Sequence, residues 1–150
     1  MQFQPASELT TLYDTDYYRW LEQTVILLQK QDFQHLDLVN LIEEVEGLAG
    51  RDRRELQSRL TTLFEHALKR KYVDNPYDYR GWASTIKRTQ IEINKLLKDS
   101  PSLESYFLLC IDECYGDALA IVTIEHDIDF PKSCPFPTDI EQLLNDIFWE

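Results

Sequence analysis

Chain breakers are scarce in this sequence. Its 150 residues include only four glycines and six prolines, and three of the prolines fall within 131-PKSCPFP-137. A turn-rich all-β fold needs more of both along its whole length, so long helices are favoured. Long apolar runs are missing too. None approaches the roughly 20 residues that a membrane span requires, so no membrane partner is expected. The opening MQFQPASELTTL has neither a basic start nor an apolar stretch, and no export signal is expected from it. Cysteine is sparse as well. Three thiols in no framework spacing suit a reducing compartment, and the expected location is cytoplasmic.

Acid is what the chain has in excess. The net charge is −12, which argues against nucleic acid as a partner. The charge is also patterned. Residues 1–50 hold 2 basic and 9 acidic side chains, residues 51–98 hold 12 and 6, and residues 99–150 hold 1 and 12. A basic centre lies between two acidic flanks. Either the flanks pair with the centre across helix borders, or the centre is left open for an anionic partner.

Apolar residues make up 43% of the chain, enough for the core of one domain spanning 1–150. Their spacing predicts the helices. Over 14–31, Tyr17, Trp20, Leu21, Thr24, Leu27 and Leu28 recur at three and four, and Asp14 or Asp16 can cap the start. Over 36–49, Leu38, Leu41, Ile42, Val45, Leu48 and Ala49 form a second stripe, which Gly47 and Gly50 are expected to end. A third helix is predicted over 52–72, a fourth over 82–98 and a fifth from Ser100 to about Glu125. The segment 130-FPKSCPFP-137 reads as extended, because proline restricts its neighbours. Thr138 and Glu141 form a capping box for a short last helix. The expected fold is all-α, a single-domain bundle of about five long helices plus a short C-terminal one.

Several stretches together carry a resemblance: 17-YYRWLEQTVILL-28, 37-DLVNLIEEVEGL-48, 58-SRLTTLFEHALK-69, 82-WASTI-86, 100-SPSL-103 and 130-FPKSCP-135. In that order they resemble the bacterial family catalogued as domain of unknown function 29, abundant in cyanobacteria. The resemblance spans about residues 13–145. It implies a compact α-helical protein with an unassigned activity, and it supplies no catalytic residues.

Three glutamates, Glu43, Glu44 and Glu46, crowd the second stripe. At 100° per residue, Glu44 and Glu46 lie about 100° from the stripe centre on opposite borders, and Glu43 lies nearly opposite it. They therefore diverge. The expected role of Glu44 and Glu46 is to pair with a neighbouring basic helix. The weaker reading is a metal-binding bundle through Glu44, Glu46 and His66, with Glu125 as a further ligand. The glutamate–histidine pairs of di-iron bundles are absent.

The third helix offers the one catalytic candidate. Arg59 and His66 are seven apart, within about 20° of each other, with Thr62 between them and Glu55 one turn before. This pattern is similar to the HEPN nucleases, which present Arg and His from one helix and cleave RNA without metal. His66 would move the 2′-hydroxyl proton and Arg59 would steady the phosphorane charge, with Thr62 and Glu55 supporting. Against it, Arg59 can simply pair with Glu55, and His66 can hydrogen-bond a glutamate at a helix border. Tyr72, Tyr77, Tyr79 and Trp82, interleaved with Lys69, Arg70, Lys71 and Arg80, suit base stacking or a loop clamped onto the core.

The leading expectation is a small acidic protein-interaction or regulatory module without catalysis. It would bind a protein partner, a second copy among the candidates, and need no cofactor. The metal-independent ribonuclease is the alternative, and nucleic acid is a partner only under that alternative.

Overall fold

The structure is a computed structural model that describes residues 6–150. The residues MQFQP, on which the reading of no export signal partly rests, lie outside the described ones. Every regular element described is helical, as the sparse breakers require. The elements are α1 (Ala6–Thr15), α2 (Tyr17–Gln29), α3 (Leu38–Tyr72), α4 (Tyr79–Asp99), α5 (Leu103–Glu125) and α6 (Ile140–Asn145). Single 3-10 turns occupy Phe33–His35 and Pro76–Asp78. No helix among the described residues is long and apolar enough to cross a membrane.

The protein is all-α, but the helices are divided differently from expectation. The run predicted over 14–31 is split. Asp16 caps α2, accepting the Arg19 backbone N–H at 3.2 Å, and α1 precedes it as a helix the periodicity analysis did not find. The larger correction is α3. The stripe over 36–49 and the helix over 52–72 are one continuous element of 35 residues. Gly47 and Gly50 do not break it. Each glycine costs only about 1 kcal/mol relative to alanine, and an established helix propagates through such a cost. The apolar phase is also unbroken: Ile42 and Leu60 are 18 residues apart, about five turns.

Smaller corrections fall at the ends. α5 starts at Leu103, after a turn in which the Ser100 carbonyl accepts the Leu103 N–H at 3.0 Å. α6 is capped by Asp139 rather than Thr138, because its carboxylate accepts the Glu141 N–H and favours the helix N-terminus. α2 ends in a Schellman motif. Gln31 sits at φ 58, Gln31 N–H donates to Leu28, and Asp32 N–H donates to Leu27.

The chain gathers into two compact units, Met1–Gly50 and Arg51–Glu150. The first has a small core of Leu9, Trp20, Leu27 and Leu36, with Leu12, Tyr13 and Leu41 packed around it. Trp20 is fully buried, and its Nε1–H donates to the buried Asp37 carboxylate at 3.1 Å. The second unit has a much larger core, drawn from α3 after Arg54, from α4, α5 and α6, and from the connector. Phe64 lies at its centre, stacked on Phe136 at 6.0 Å and edge-on to Tyr115 at 5.7 Å. The 130–137 segment is irregular and bent, and it drives Phe130 and Phe136 into that core. The buried Gln90 ties α4 to the last helix, donating to the Leu143 carbonyl at 3.0 Å and to Asp146 at 3.2 Å.

Candidate functional site

One helical face runs the length of α3. From Leu56 onward it is fully buried through Leu56, Leu60 and Leu63. The same face continues toward the N-terminus as Leu38, Ile42 and Val45, with Leu48 at its edge. There it is bare, and each of these four side chains is more than half exposed. Sequence periodicity placed them in the core, and the structure places them in solvent. α2 adds a second apolar flank through Leu21, Val25 and Leu28. Eleven of the 19 large apolar side chains exposed on the described residues fall within 17–48. Isolated exposed leucines are ordinary, but a run of them along one helix is an apolar face that no described residue covers.

Glu44 and Glu46 border this stripe on opposite sides, and Glu43 lies nearly opposite it. Glu44 does not pair with a basic helix. It accepts the Tyr13 hydroxyl through Oε1 and the Tyr17 hydroxyl through Oε2, the latter at 2.6 Å. Tyr13 comes from the end of α1 and Tyr17 from the start of α2, so the break at Asp16 lies between the two hydroxyls that reach this one carboxylate. These bonds hold the Glu44 carboxyl below its ordinary value and push Tyr13 up to about 12, the hydrogen bond to Glu44 being the main cause for Tyr13. Because the folded pKa of Glu44 is depressed, its contribution is present above the unfolded value near 4.5 and is lost as pH falls through the folded one. The Tyr13 contribution has the opposite sense, present below about 10 and lost as pH rises toward about 12. We expect Tyr13→Phe with Tyr17→Phe to return the Glu44 titration, followed by carboxyl NMR, toward that of a free glutamate. An unchanged midpoint would mean that the hydroxyls do not set it.

Glu43 and Glu46 are exposed, and neither forms an ion pair among the described residues. The three carboxylates diverge as the 100° step demands. No three His, Cys, Asp or Glu side chains gather around a common point among the described residues, so Glu44, Glu46 and His66 form no donor set there.

The row on the later part of α3 is in place. Arg59 Nε donates to Glu55 at 3.1 Å, and its guanidinium lies 3.9 Å from Glu92. Thr62 donates its hydroxyl to the Ser58 carbonyl at 3.0 Å. His66 bonds not a glutamate but the Thr62 carbonyl, at 2.9 Å from Nδ1. A carbonyl only accepts, so the proton sits on Nδ1 and Nε2 is the free acceptor. Burial pushes the half-buried His66 below its ordinary value, with Lys69 adding to the effect. Lys69 itself pairs with Glu125 at 3.0 Å. Beside the row lies an open groove of about 490 Å³ lined by Ser58, Thr61, Thr62, Glu65, Asp117, Ala120 and Ile121. Its two carboxylates make it a poor seat for phosphate.

The aromatic segment after α3 divides. Tyr72 packs edge-on against Phe130, and Arg70 stacks over Tyr79 at 4.1 Å, both clamping contacts. Tyr77 alone stands almost fully in solvent. The thiols of Cys110, Cys114 and Cys134 are free, and burial raises all three, Cys114 to about 12. They are packing residues, without thiolate chemistry at neutral pH.

No curated protein and no solved structure matches the chain. A family model, described as Domain of unknown function DUF29, matches residues 12–149. With nearly its whole length so matched, the chain belongs to that family.

Proposed function

We propose that the protein is an interaction module that seats a partner protein on the N-terminal half of α3, and that it acts in the cytoplasm without catalysis. The carrying observation is the single face that is buried at Leu56, Leu60 and Leu63 and bare at Leu38, Ile42, Val45 and Leu48. A helix does not hold such a stripe in water at no cost. Each fully covered Leu, Ile or Val contributes roughly 1.5–3 kcal/mol. The exposed Glu46 on its border and Glu43 on the opposite side keep the free form charged. The test is affinity capture from source cells with wild type and with Ile42→Asp/Val45→Asp. We expect a discrete partner on the wild type, at least tenfold depleted on the variant, with unchanged far-UV circular dichroism. A partner held equally by both would count against the stripe.

The ribonuclease reading draws on one observation, the bonded row Glu55–Arg59–Thr62–His66 with Nε2 of His66 free to take a proton. Glu55 and Glu92 already occupy the Arg59 guanidinium, which leaves less positive charge for a phosphorane. RNA cleavage in EDTA, abolished by His66→Ala, would carry that reading.

A further inference from the structure

We propose that the outer face of α4 binds the phosphodiester backbone of a single-stranded nucleic acid, with the Tyr77 ring stacking on a base at one end. This goes beyond the interaction reading above and uses neither the α3 stripe nor the Arg59–His66 row.

The face is built from Arg80, Lys87, Arg88, Ile91, Lys95 and Lys98, all exposed. At 100° per residue the five cations lie within about 60° of Ile91, on one line along the helix. From Arg80 to Lys98 that line spans about 27 Å. Residues 51–98 hold 12 basic side chains, and of these Arg59 and Lys69 are the two that form ion pairs among the described residues. Arg53, Arg70 and Lys71 lie over aromatic rings instead. The five α4 cations do neither among the described residues. The acids of the helix stand aside. Glu92 and Asp99 lie roughly 80–100° round from the centre of the face, and Glu92 faces Arg59 at 3.9 Å. At the far end Lys98 shares a cleft with Glu104 and Glu141, which leaves Arg80 to Lys95 as the strongest part of the row.

Unpaired cations in a line call for a polyanion. Its class follows from what else the face holds. A protein seam has an apolar centre and is poor in lysine, and here one isoleucine stands among five cations. A helix lying on a membrane needs a whole apolar side, and Ile91 alone does not make one. A phosphate backbone needs charge repeated along a line. A ring that stacks on bases completes a single-strand site. Tyr77 supplies that ring, in the turn directly before α4, three residues from Arg80 and almost fully exposed. The net charge of −12 does not forbid this partner. Exposed charges more than about 8 Å apart are largely screened at physiological salt. A strand held on the row therefore feels the row far more than the acids beyond that distance.

The experiment is fluorescence anisotropy on the full chain with labelled mixed-sequence single strands of RNA and of DNA and a DNA duplex, beside cosedimentation with vesicles rich in phosphatidylserine. With four or five phosphates contacted, single-strand affinity is expected to fall about 50- to 100-fold between about 50 and 200 mM salt, a log–log slope of about −3. Lys87→Gln/Arg88→Gln is expected to flatten that slope by about 1.4 and to weaken binding at low salt. Tyr77→Ala is expected to lose about fivefold or more with the slope unchanged. All three positions are exposed, so the substitutions leave the fold intact, as circular dichroism will verify. Binding in the RNA arm, the DNA arm or both supports the proposal, and the tighter arm names the strand. No binding by either at low salt overturns it, and so does binding that neither variant changes. A duplex bound as tightly as the single strands, with Tyr77→Ala indifferent, overturns the single-strand assignment. Vesicles bound in place of the strands, and released by Lys87→Gln/Arg88→Gln, make the occupant a lipid surface and overturn the nucleic-acid assignment.

Discussion

Phe64→Ala should remove about 3–5 kcal/mol from the stability of the second unit. Phe64 is fully buried and is held between Phe136, stacked at 6.0 Å, and the edge of Tyr115 at 5.7 Å. The loss has two parts. The ring's apolar surface is no longer covered, and the space it leaves cannot be filled by two aromatic neighbours that are themselves pinned. Phe136 belongs to the proline-rich connector, and the Tyr115 hydroxyl donates to the Pro131 carbonyl of the same segment. Removing Phe64 therefore loosens the connector as well as the helix that carries it. Domains of this size hold about 5–15 kcal/mol in all, so a large share disappears. Urea denaturation followed by circular dichroism reads it as a lower midpoint. Phe64→Leu should lose less, because it keeps most of the volume. A shift under about 1 kcal/mol for the alanine variant would mean that the ring is not central to the packing.

Trp20→Ala is expected to unfold the first unit while leaving the second protected. Among the described residues its core has four buried apolar side chains, and Trp20 is the largest of them. The change costs about 3–5 kcal/mol in a well-formed core, and this core is too small to absorb it. Asp37 also loses the indole donor and keeps the Asn40 amide, at 2.7 Å, as its side-chain partner. Hydrogen exchange by mass spectrometry should show amide protection lost within 6–50 and retained in the core helices beyond Arg51. Trp20→Phe separates the two contributions: the apolar part is largely kept, and the cost of leaving Asp37 short of a donor is roughly 1–3 kcal/mol. Uniform loss of protection along the chain would show that the two cores do not melt separately.

The all-α class was legible because helix periodicity is a local property, and few residues here interrupt it. The division into elements was less so. Gly47 and Gly50 carry the usual signal of a helix end, yet the phase from Ile42 to Leu60 was continuous and could have been weighed against them. Leu9, Leu12 and Tyr13 recur at three and four as well, but α1 is only 10 residues long and easily passed over. The Arg59–Glu55 pair could be read from spacing, since both residues lie on one helix and reach each other without a fold. The partners of Glu44 could not, because Tyr13 and Tyr17 come from other helices. Nor could the bareness of Leu38, Ile42 and Val45. Periodicity says which residues share a face, and only the tertiary structure says whether anything lies against it.

The three cysteines, Cys110 and Cys114 buried and Cys134 half-buried, have a practical consequence for labelling. Maleimides and peroxides attack thiolates, and the raised Cys110, Cys114 and Cys134 supply almost none at neutral pH. The raised native thiols are thus slow toward thiol probes. An exposed cysteine placed at Val45 would react faster than these, and a fluorophore there would report directly whether the stripe is wet or covered.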